Sequence, residues 1–387
     1  AGIALGPSAL NVLGGDFEQG GVELLAEVTL LLILFVDATR IDLRVLRKQL
    51  AVPVRLLGIG LPLTVLTGAL LGAVVLTDLT LFEAALVAAI LAPTDAALGQ
   101  AVVSDKRVPV RIRQGLNVES GLNDGLMLPA ITIILALAAS DSGLESTSYW
   151  AGFVSRQIGF GVLFGVAVGA GGGLTLDYFA KRGWIEGALR QIGTLAIAVG
   201  AFAAAEMVEG NGFVAAFVAG LAFGYVAKDH CDTAADFTED EGQLLALLTF
   251  LFFGALLVGP RIGELTLPIA LYSLLSLTVI RMSPVAVSLI GMHLEAPTIG
   301  YLSWFGPRGL ASILFGLFVV EHAELAGSET ILAVVTWTVL ESIILHGVTE
   351  VPLTGRYAEW WRSMIPDQIA AMPEGEVVDE LRPRVSV

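Results

Sequence analysis

Long apolar runs are the feature that most constrains this chain. Eleven stretches are apolar over about 18 residues or more, which is the length that crosses a lipid bilayer. They lie near 22–38, 53–76, 82–104, 111–139, 150–180, 190–208, 211–228, 241–259, 265–292, 297–320 and 329–351. The mean hydropathy is +0.80 and only 15% of residues are charged, which excludes a soluble globular domain. We therefore expect an all-α polytopic membrane protein.

Positive charges alternate between the connections of these runs. Sixteen Lys and Arg residues fall in every second connection or in the C-terminal tail, whereas the remaining connections hold only Arg261. Because Lys and Arg crowd the cytoplasmic ends of spans, the connection at 39–52 and the C-terminus are predicted to be cytoplasmic. The net charge of −16 comes mostly from loops, such as the acidic loop 229–242, and from the tail. This balance argues against a nucleic acid partner.

The fourth run begins with a polar stretch from Gly115 to Pro129. At helical pitch Glu119 stacks under Asn123, and Ser120 stacks under Asp124 on a neighbouring strip of the same face. A charged side chain at the bilayer centre costs roughly 2.5–3.5 kcal/mol on insertion scales. Two carboxylates this close therefore imply a partner cation or a proton, and we interpret this face as a functional site.

Two further runs carry polar groups at depth. In the third run Pro93 is followed at once by Thr94 and Asp95, and the ninth run contains Arg281. Hydroxyl, carboxylate, carbonyl and amide oxygens are hard ligands that suit sodium, lithium or potassium rather than a transition metal. A desolvated carboxylate can hold a proton or a cation but not both comfortably, so competition between the two predicts exchange.

Helix breakers suggest an internal symmetry. Pro62 and Pro307 each remove a backbone donor, so each is predicted to interrupt its helix. The second to fourth runs and the ninth to eleventh runs start on opposite sides of the membrane, which is the signature of an inverted repeat. Interrupted helices that meet near the midplane would present bare amides and carbonyls to an ion.

These motifs resemble a known family. Ala-Pro-Thr-Asp at 92–95, Glu-Ser-Gly-Leu-Asn-Asp at 119–124 and Ser283-Pro284 after Arg281 resemble the NhaP-type sodium/proton antiporters of the monovalent cation:proton antiporter-1 family. The resemblance implies an inverted-repeat antiporter fold of thirteen helices with two interrupted crossing helices. About eleven to twelve are expected in this chain, with a truncated N-terminus. It also implies a homodimer in the plasma membrane that acts in pH homeostasis, without enzymatic activity or a cofactor.

The resemblance also assigns a cation and proton site. Asp124 would be the shared carrier of the cation and the proton. Thr94, Ser120 and Asp95, the last directly or through water, would complete the sodium site. Asn123 in place of a second Asp resembles the electroneutral branch, in which one proton exchanges for one cation.

Other polar residues in the runs receive structural interpretations. By the same resemblance, Glu119 and Arg281 would form a buried ion pair that holds the core together. Arg308 would offset carbonyl ends at the interrupted helix. For Glu341 and His346 we favour packing or an internal hydrogen bond over a role in the pH response.

The expected domains alternate along the chain. Residues 1–52 and 150–259 are predicted to form a dimerisation domain, 53–139 and 265–351 the core transport domain, and 352–387 a short cytoplasmic tail. The predicted function is exchange of sodium or lithium for protons. A potassium/proton antiporter is the alternative that the ligand types leave open. A cation channel lacks support because no filter-like glycine repeat is present, and a non-transporting sensor is the third alternative.

Overall fold

The computed structural model describes residues 1–12, 19–39, 51–95, 98, 102, 105–141, 147–227, 244, 247–322 and 325–364. The basic connection at 40–50, the acidic loop 229–242 and the end of the predicted tail, 365–387, lie outside the described residues.

All regular structure in these ranges is helical, which confirms the predicted class. In chain order the helices are α1 Gly2–Leu5, α2 Gln19–Thr39, α3 Ala51–Val75, α4 Leu81–Leu91, α5 Val110–Asp141, α6 Thr147–Lys181, α7 Ala188–Glu206, α8 Gly212–Val226, α9 Leu247–Glu264, α10 Leu267–Ser288, α11 Ala296–Trp304, α12 Leu310–His322 and α13 Ser328–Arg362. Within the described residues, seven helices are long and apolar enough to cross a membrane, and α4, α8 and α12 are shorter apolar helices.

The chain divides into two compact units that alternate along the sequence. The first comprises 1–43 and 128–260, and the second comprises 44–127 and 261–387. The first unit thus includes 128–139, which are predicted from the sequence to lie in the core domain, because α5 passes from one unit to the other at residue 128.

Helix α8 packs closely against two neighbours in the first unit. Gly161, Gly165 and Gly169 of α6 face it at intervals of four residues, and a Cβ atom on any of them would collide with the α8 segment, including main-chain atoms. On its other side, Gly220 and Gly224 of α8 meet the backbone of α2 in the same way. The glycines therefore serve close helix packing.

Helix breaks in the second unit follow the predicted repeat. One group comprises α3, α4 and α5. The other comprises α10, then α11 and α12 as the two halves of one interrupted helix, then α13. The middle member of each group is thus interrupted. The first interruption, residues 92–95, follows α4, and the second interruption, residues 305–309, separates α11 from α12. The break predicted at Pro307 is therefore confirmed.

The interruption predicted at Pro62 is wrong, because α3 continues through this residue. A π-helical turn, Leu56–Gly60, precedes it, and the Leu61 N–H donates to the Leu56 carbonyl five residues back. The hydrogen-bond ladder has therefore already shifted register where the proline lacks its donor. Pro93 marks the first break instead.

Helix α13 also departs from prediction, because it runs through Pro352 to Arg362 rather than ending before a tail. Its last turns are held by packing: the Tyr357 ring stacks on Tyr301 of α11 with centroids 4.3 Å apart. The Tyr357 hydroxyl also lies 3.0 Å from the Thr298 hydroxyl. This packing offsets the backbone hydrogen bond that the proline removes.

Candidate functional site

The two interruptions are joined to each other by hydrogen bonds. The Asp95 N–H donates to the Pro307 carbonyl at 2.8 Å, and the Leu310 N–H donates to Asp95 Oδ2 at 3.1 Å. Next to them, the Ser312 hydroxyl donates to the Ile90 carbonyl at 2.9 Å. Backbone groups released by a broken helix need partners at membrane depth, and here each interruption supplies partners for the other.

The polar face of α5 binds the first interruption. The Ser120 hydroxyl donates to the Thr94 carbonyl, and Asn123 Nδ2 donates to Thr94 Oγ1 at 2.8 Å. Asp124 lies one turn after Ser120 and is only 5% exposed. The structure thus brings Thr94, Ser120 and Asn123 into direct contact, with Asp124 on the same helix turn.

Asp95 occupies a different position from these three residues. Its half-buried carboxylate accepts the hydrogen bond from the first backbone amide of α12. A carboxylate at a helix N-terminus is stabilised by the partial positive charge of the unpaired amides. Asp95 therefore caps α12 at the crossing, beside the Thr94 contacts.

The polar atoms around Thr94 are oxygen donors. Asn123 is fully buried, and its Oδ1 atom lacks a hydrogen-bond partner among the described residues. The described residues contain no group of three or more His, Cys, Asp or Glu side chains that could hold a metal ion. A buried amide oxygen, a threonine hydroxyl and a carboxylate around one turn of α5 suit a monovalent hard cation as transported substrate.

Glu119 and Arg281 form a bidentate ion pair. Arg281 Nη1 and Nη2 donate to Glu119 Oε1 and Oε2 at 2.9 and 3.1 Å. The two side chains are 5% and 3% exposed, so neither charge has access to bulk water. Each carboxylate oxygen accepts from one guanidinium nitrogen, a geometry that links α5 to α10 firmly.

Arg308 lies in the second interruption and is completely buried. Its guanidinium donates to the Gly306 carbonyl and, at 3.5 Å, to the Ser276 carbonyl. Ser276 precedes a kink in α10 at Thr278, so its carbonyl lies where the helix ladder is disturbed. Arg308 thus contacts carbonyl groups at two helix breaks.

Sequence reasoning missed several residues that shape this crossing. A Cβ atom at Gly309 would overlap the Asp95 carboxylate, and one at Gly306 would overlap the Arg281 guanidinium. Ser342 accepts a hydrogen bond from the Arg308 N–H at 2.7 Å. Gly306 and Gly309 flank the predicted break at Pro307 in the sequence, whereas no sequence pattern indicates the Ser342 contact.

Comparison with known proteins places this architecture in a family. Residues 1–355 match the family model described as "Sodium/hydrogen exchanger, transmembrane". The chain belongs to the sodium/hydrogen exchanger family. Membership confirms the resemblance to monovalent cation:proton antiporters, and the family consists of membrane transporters rather than enzymes.

Named relatives in the sodium/hydrogen exchanger family differ in the cation that their names give. The chain is 25% identical over 327 residues to the "K(+)/H(+) antiporter NhaP" of Alkalimonas amylolytica, covering 80% of this chain and 54% of that protein. It is 24% identical over 352 residues to the "K(+)/H(+) antiporter NhaP2" of Shewanella sp. strain ANA-3, covering 88% and 60%. It is 27% identical over 358 residues to the "Na(+)/H(+) antiporter ApNhaP" of Aphanothece halophytica, covering 84% and 63%. The chain thus spans less than two thirds of the length of these relatives.

A solved structure of the exchanger type shares the fold. The sodium proton antiporter MjNhaP1 from Methanocaldococcus jannaschii at pH 8 superposes with a TM-score of 0.72 and 21% sequence identity. The match covers 92% of this chain and 90% of that chain. This similarity establishes the antiporter fold for the helices described above.

Proposed function

We propose that this protein is a secondary active antiporter that exchanges sodium or lithium ions for protons by alternating access. The observation that carries the proposal is the position of Asp124. Asp124 is 5% exposed and is the residue after Asn123 in α5. Ser120 and Asn123 of the same helix both form hydrogen bonds to Thr94 in the first interruption. A carboxylate at this depth is neutralised either by a proton or by a cation, so the two compete for it.

Each site residue has a defined part in this proposal. Asp124 is the shared carrier, and Thr94, Ser120 and Asn123 supply neutral oxygen atoms around a dehydrated ion. Asp95 contributes its second carboxylate oxygen or a bound water. Binding of the cation at one face displaces the proton from Asp124, and the carrier returns protonated after release at the other face. No cofactor takes part in this cycle.

The charges around the crossing support electroneutral exchange. Three carboxylates, Asp95, Glu119 and Asp124, and two guanidinium groups, Arg281 and Arg308, leave one formal negative charge. Either one proton or one monovalent cation balances this charge. Because a net charge in a low-dielectric site is costly, the carrier moves most readily in these two balanced states.

The proposed assembly is the one that the resemblance to this family implies. The second unit carries the site and moves as the transport core, and the first unit forms the interface of a homodimer in the plasma membrane. The C-terminus is cytoplasmic, since the connections rich in Lys and Arg lie on the same side of the membrane as the C-terminal tail.

Exchange by the reconstituted protein tests the proposal. In proteoliposomes with an internal pH-sensitive dye, added sodium should dissipate an imposed proton gradient, and Asp124→Asn should abolish this flux while the protein stays folded. Asp78→Asn is the matched control, because Asp78 is exposed in the connection after α3. Wild-type exchange by the Asp124→Asn variant would refute the assignment.

Potassium is the second candidate cation, since two relatives are named K(+)/H(+) antiporters. The same vesicles titrated with sodium, lithium and potassium measure the apparent KM for each ion. A lower KM for potassium than for sodium would replace the sodium proposal. A current that persists without a proton gradient would instead indicate a channel.

A further inference from the structure

Two residues of α13 contact both ends of the second interruption. The Arg308 N–H donates to Ser342 Oγ at 2.7 Å, and His346 Nε2 lies 3.1 Å from the Trp304 carbonyl. Ser342 Oγ lies 3.2 Å from His346 Nδ1, which links the two contacts. Ser342 and His346 are fully buried or nearly so, at 0% and 2% exposure. The pair therefore spans the five residues between the last turn of α11 and the first of α12.

Both nitrogens of the His346 ring face backbone carbonyls, since Nε2 lies 3.1 Å from the Trp304 carbonyl and Nδ1 lies 3.0 Å from the Ser342 carbonyl. A carbonyl oxygen can only accept, so whichever ring nitrogen carries the proton donates to the carbonyl beside it. The Ser342 oxygen accepts from the Arg308 amide, and its own proton is available for His346 Nδ1. Ser342 and His346 thus link the Arg308 amide to the Trp304 carbonyl through one buried chain of polar contacts.

The His346 ring is also fixed in orientation. It stacks on the Trp304 indole with ring centroids 5.1 Å apart and an interplanar angle of 29°. The indole Nε1–H donates to the Thr349 hydroxyl, one turn further along α13, at 3.0 Å. Rotation of the imidazole would therefore break the stacking contact as well as the hydrogen bond to the carbonyl.

We propose that Ser342 and His346 are positioning residues for cation exchange. By fixing Trp304 and Arg308, they hold the interruption in the shape that places its Pro307 carbonyl and the adjoining Leu310 amide against Asp95. This inference rests on the proposed antiport function at the crossing. Loss of the pair loosens the cation site and leaves the carrier movement intact, so it raises the KM for the cation more than it lowers Vmax.

Two substitutions of His346 separate positioning from simple packing. His346→Gln keeps a donor nitrogen at nearly the position of Nε2, so its KM stays close to that of the wild type. His346→Asn is too short to reach the Trp304 carbonyl, and a buried group left unpaired costs enough to raise KM about fivefold or more. Vmax changes by less than about twofold, because Asp124 is untouched. Equal KM values for the Gln and Asn variants would overturn the proposal.

Ser342→Ala tests the other contact. It removes the acceptor of the Arg308 amide and raises KM like the His346→Asn variant. The matched control is Thr338→Val, which removes a buried hydroxyl of the same helix that bonds to Ser273 Oγ at 3.0 Å. The control keeps the wild-type KM.

Hydrogen–deuterium exchange gives a readout that does not depend on transport. In peptides that cover 305–310, Ser342→Ala should accelerate amide exchange, and Thr338→Val should leave it unchanged. Equal exchange in the two variants overturns the positioning role. Absence of cation flux in wild-type vesicles would instead refute the proposed function, and the two failures are thus distinguishable.

Discussion

Replacement of Gly306 by alanine tests how the second interruption supports the buried ion pair. The added Cβ atom would overlap the Arg281 guanidinium, whose two nitrogens donate to Glu119 at 2.9 and 3.1 Å. Arg281 would have to withdraw, and both charges lie where water does not reach them, at 3% and 5% exposure. Disruption of a buried pair costs about 3–5 kcal/mol, so the free energy of unfolding should fall by about this amount.

The matched control is Gly121→Ala on α5, two residues beyond Glu119. A Cβ atom at Gly121 meets nothing within 4 Å. Alanine in a helix interior is more stable than glycine by about 0.5–1 kcal/mol, so this variant should be slightly stabilised. Thermal and denaturant unfolding of the detergent-solubilised proteins would measure the two changes, which are expected to differ in sign.

A double substitution sharpens the test. Glu119→Ala should destabilise the protein about as much as Gly306→Ala, and far more than Ser120→Ala, because only Glu119 pairs with a buried charge. Gly306→Ala combined with Glu119→Ala should cost less than the sum of the single changes, since both break one interaction. Additive losses, or a Gly306→Ala protein as stable as Gly121→Ala, would refute this reasoning.

Two further predictions concern the crossing and a connection outside it. The Cβ atom added by Gly309→Ala should displace the Asp95 carboxylate and break its hydrogen bond with the Leu310 amide. The KM for cation exchange should therefore rise with little change in fold. An unchanged KM would exclude a role for Asp95 at the site. In the connection before α5, the hydrogen bonds from Arg107 lower the pKa of Asp105 from its usual 3.8. The stability that this pair contributes is present above the pKa of Asp105 in the unfolded chain and is lost as pH falls through its pKa in the folded protein. Asp105→Asn should therefore lower the unfolding temperature at neutral pH and leave it unchanged in acid.

Much of the second unit could be predicted from the sequence, because membrane burial makes polar residues informative. A carboxylate and an arginine in apolar runs need partners, and Glu119 and Arg281 do form an ion pair. Pro307 breaks its helix as expected, since two neighbouring glycines leave the backbone free to depart from helical geometry.

Other features depended on neighbours that the sequence does not reveal. Pro62 stays helical because the preceding π-helical turn shifts the register of the backbone hydrogen bonds. A proline in the sequence does not indicate whether such a π-helical turn precedes it. The contacts of Ser342 and His346 depend on how α13 packs against the second interruption, and apolar periodicity does not fix that packing. The internal hydrogen bond favoured for His346 was correct, but its partner could not be named.

The hydrogen bond between the Asp95 amide and the Pro307 carbonyl has a consequence for biogenesis. Its partners are separated by more than half the length of the chain. The main-chain groups of the first interruption therefore cannot acquire these partners until the later repeat has been synthesised and inserted. Until then, the early helices must keep the broken segment hydrated or paired elsewhere, because exposed amides are costly in lipid. Completion of the crossing between the two interruptions is thus a late step in the maturation of the protein.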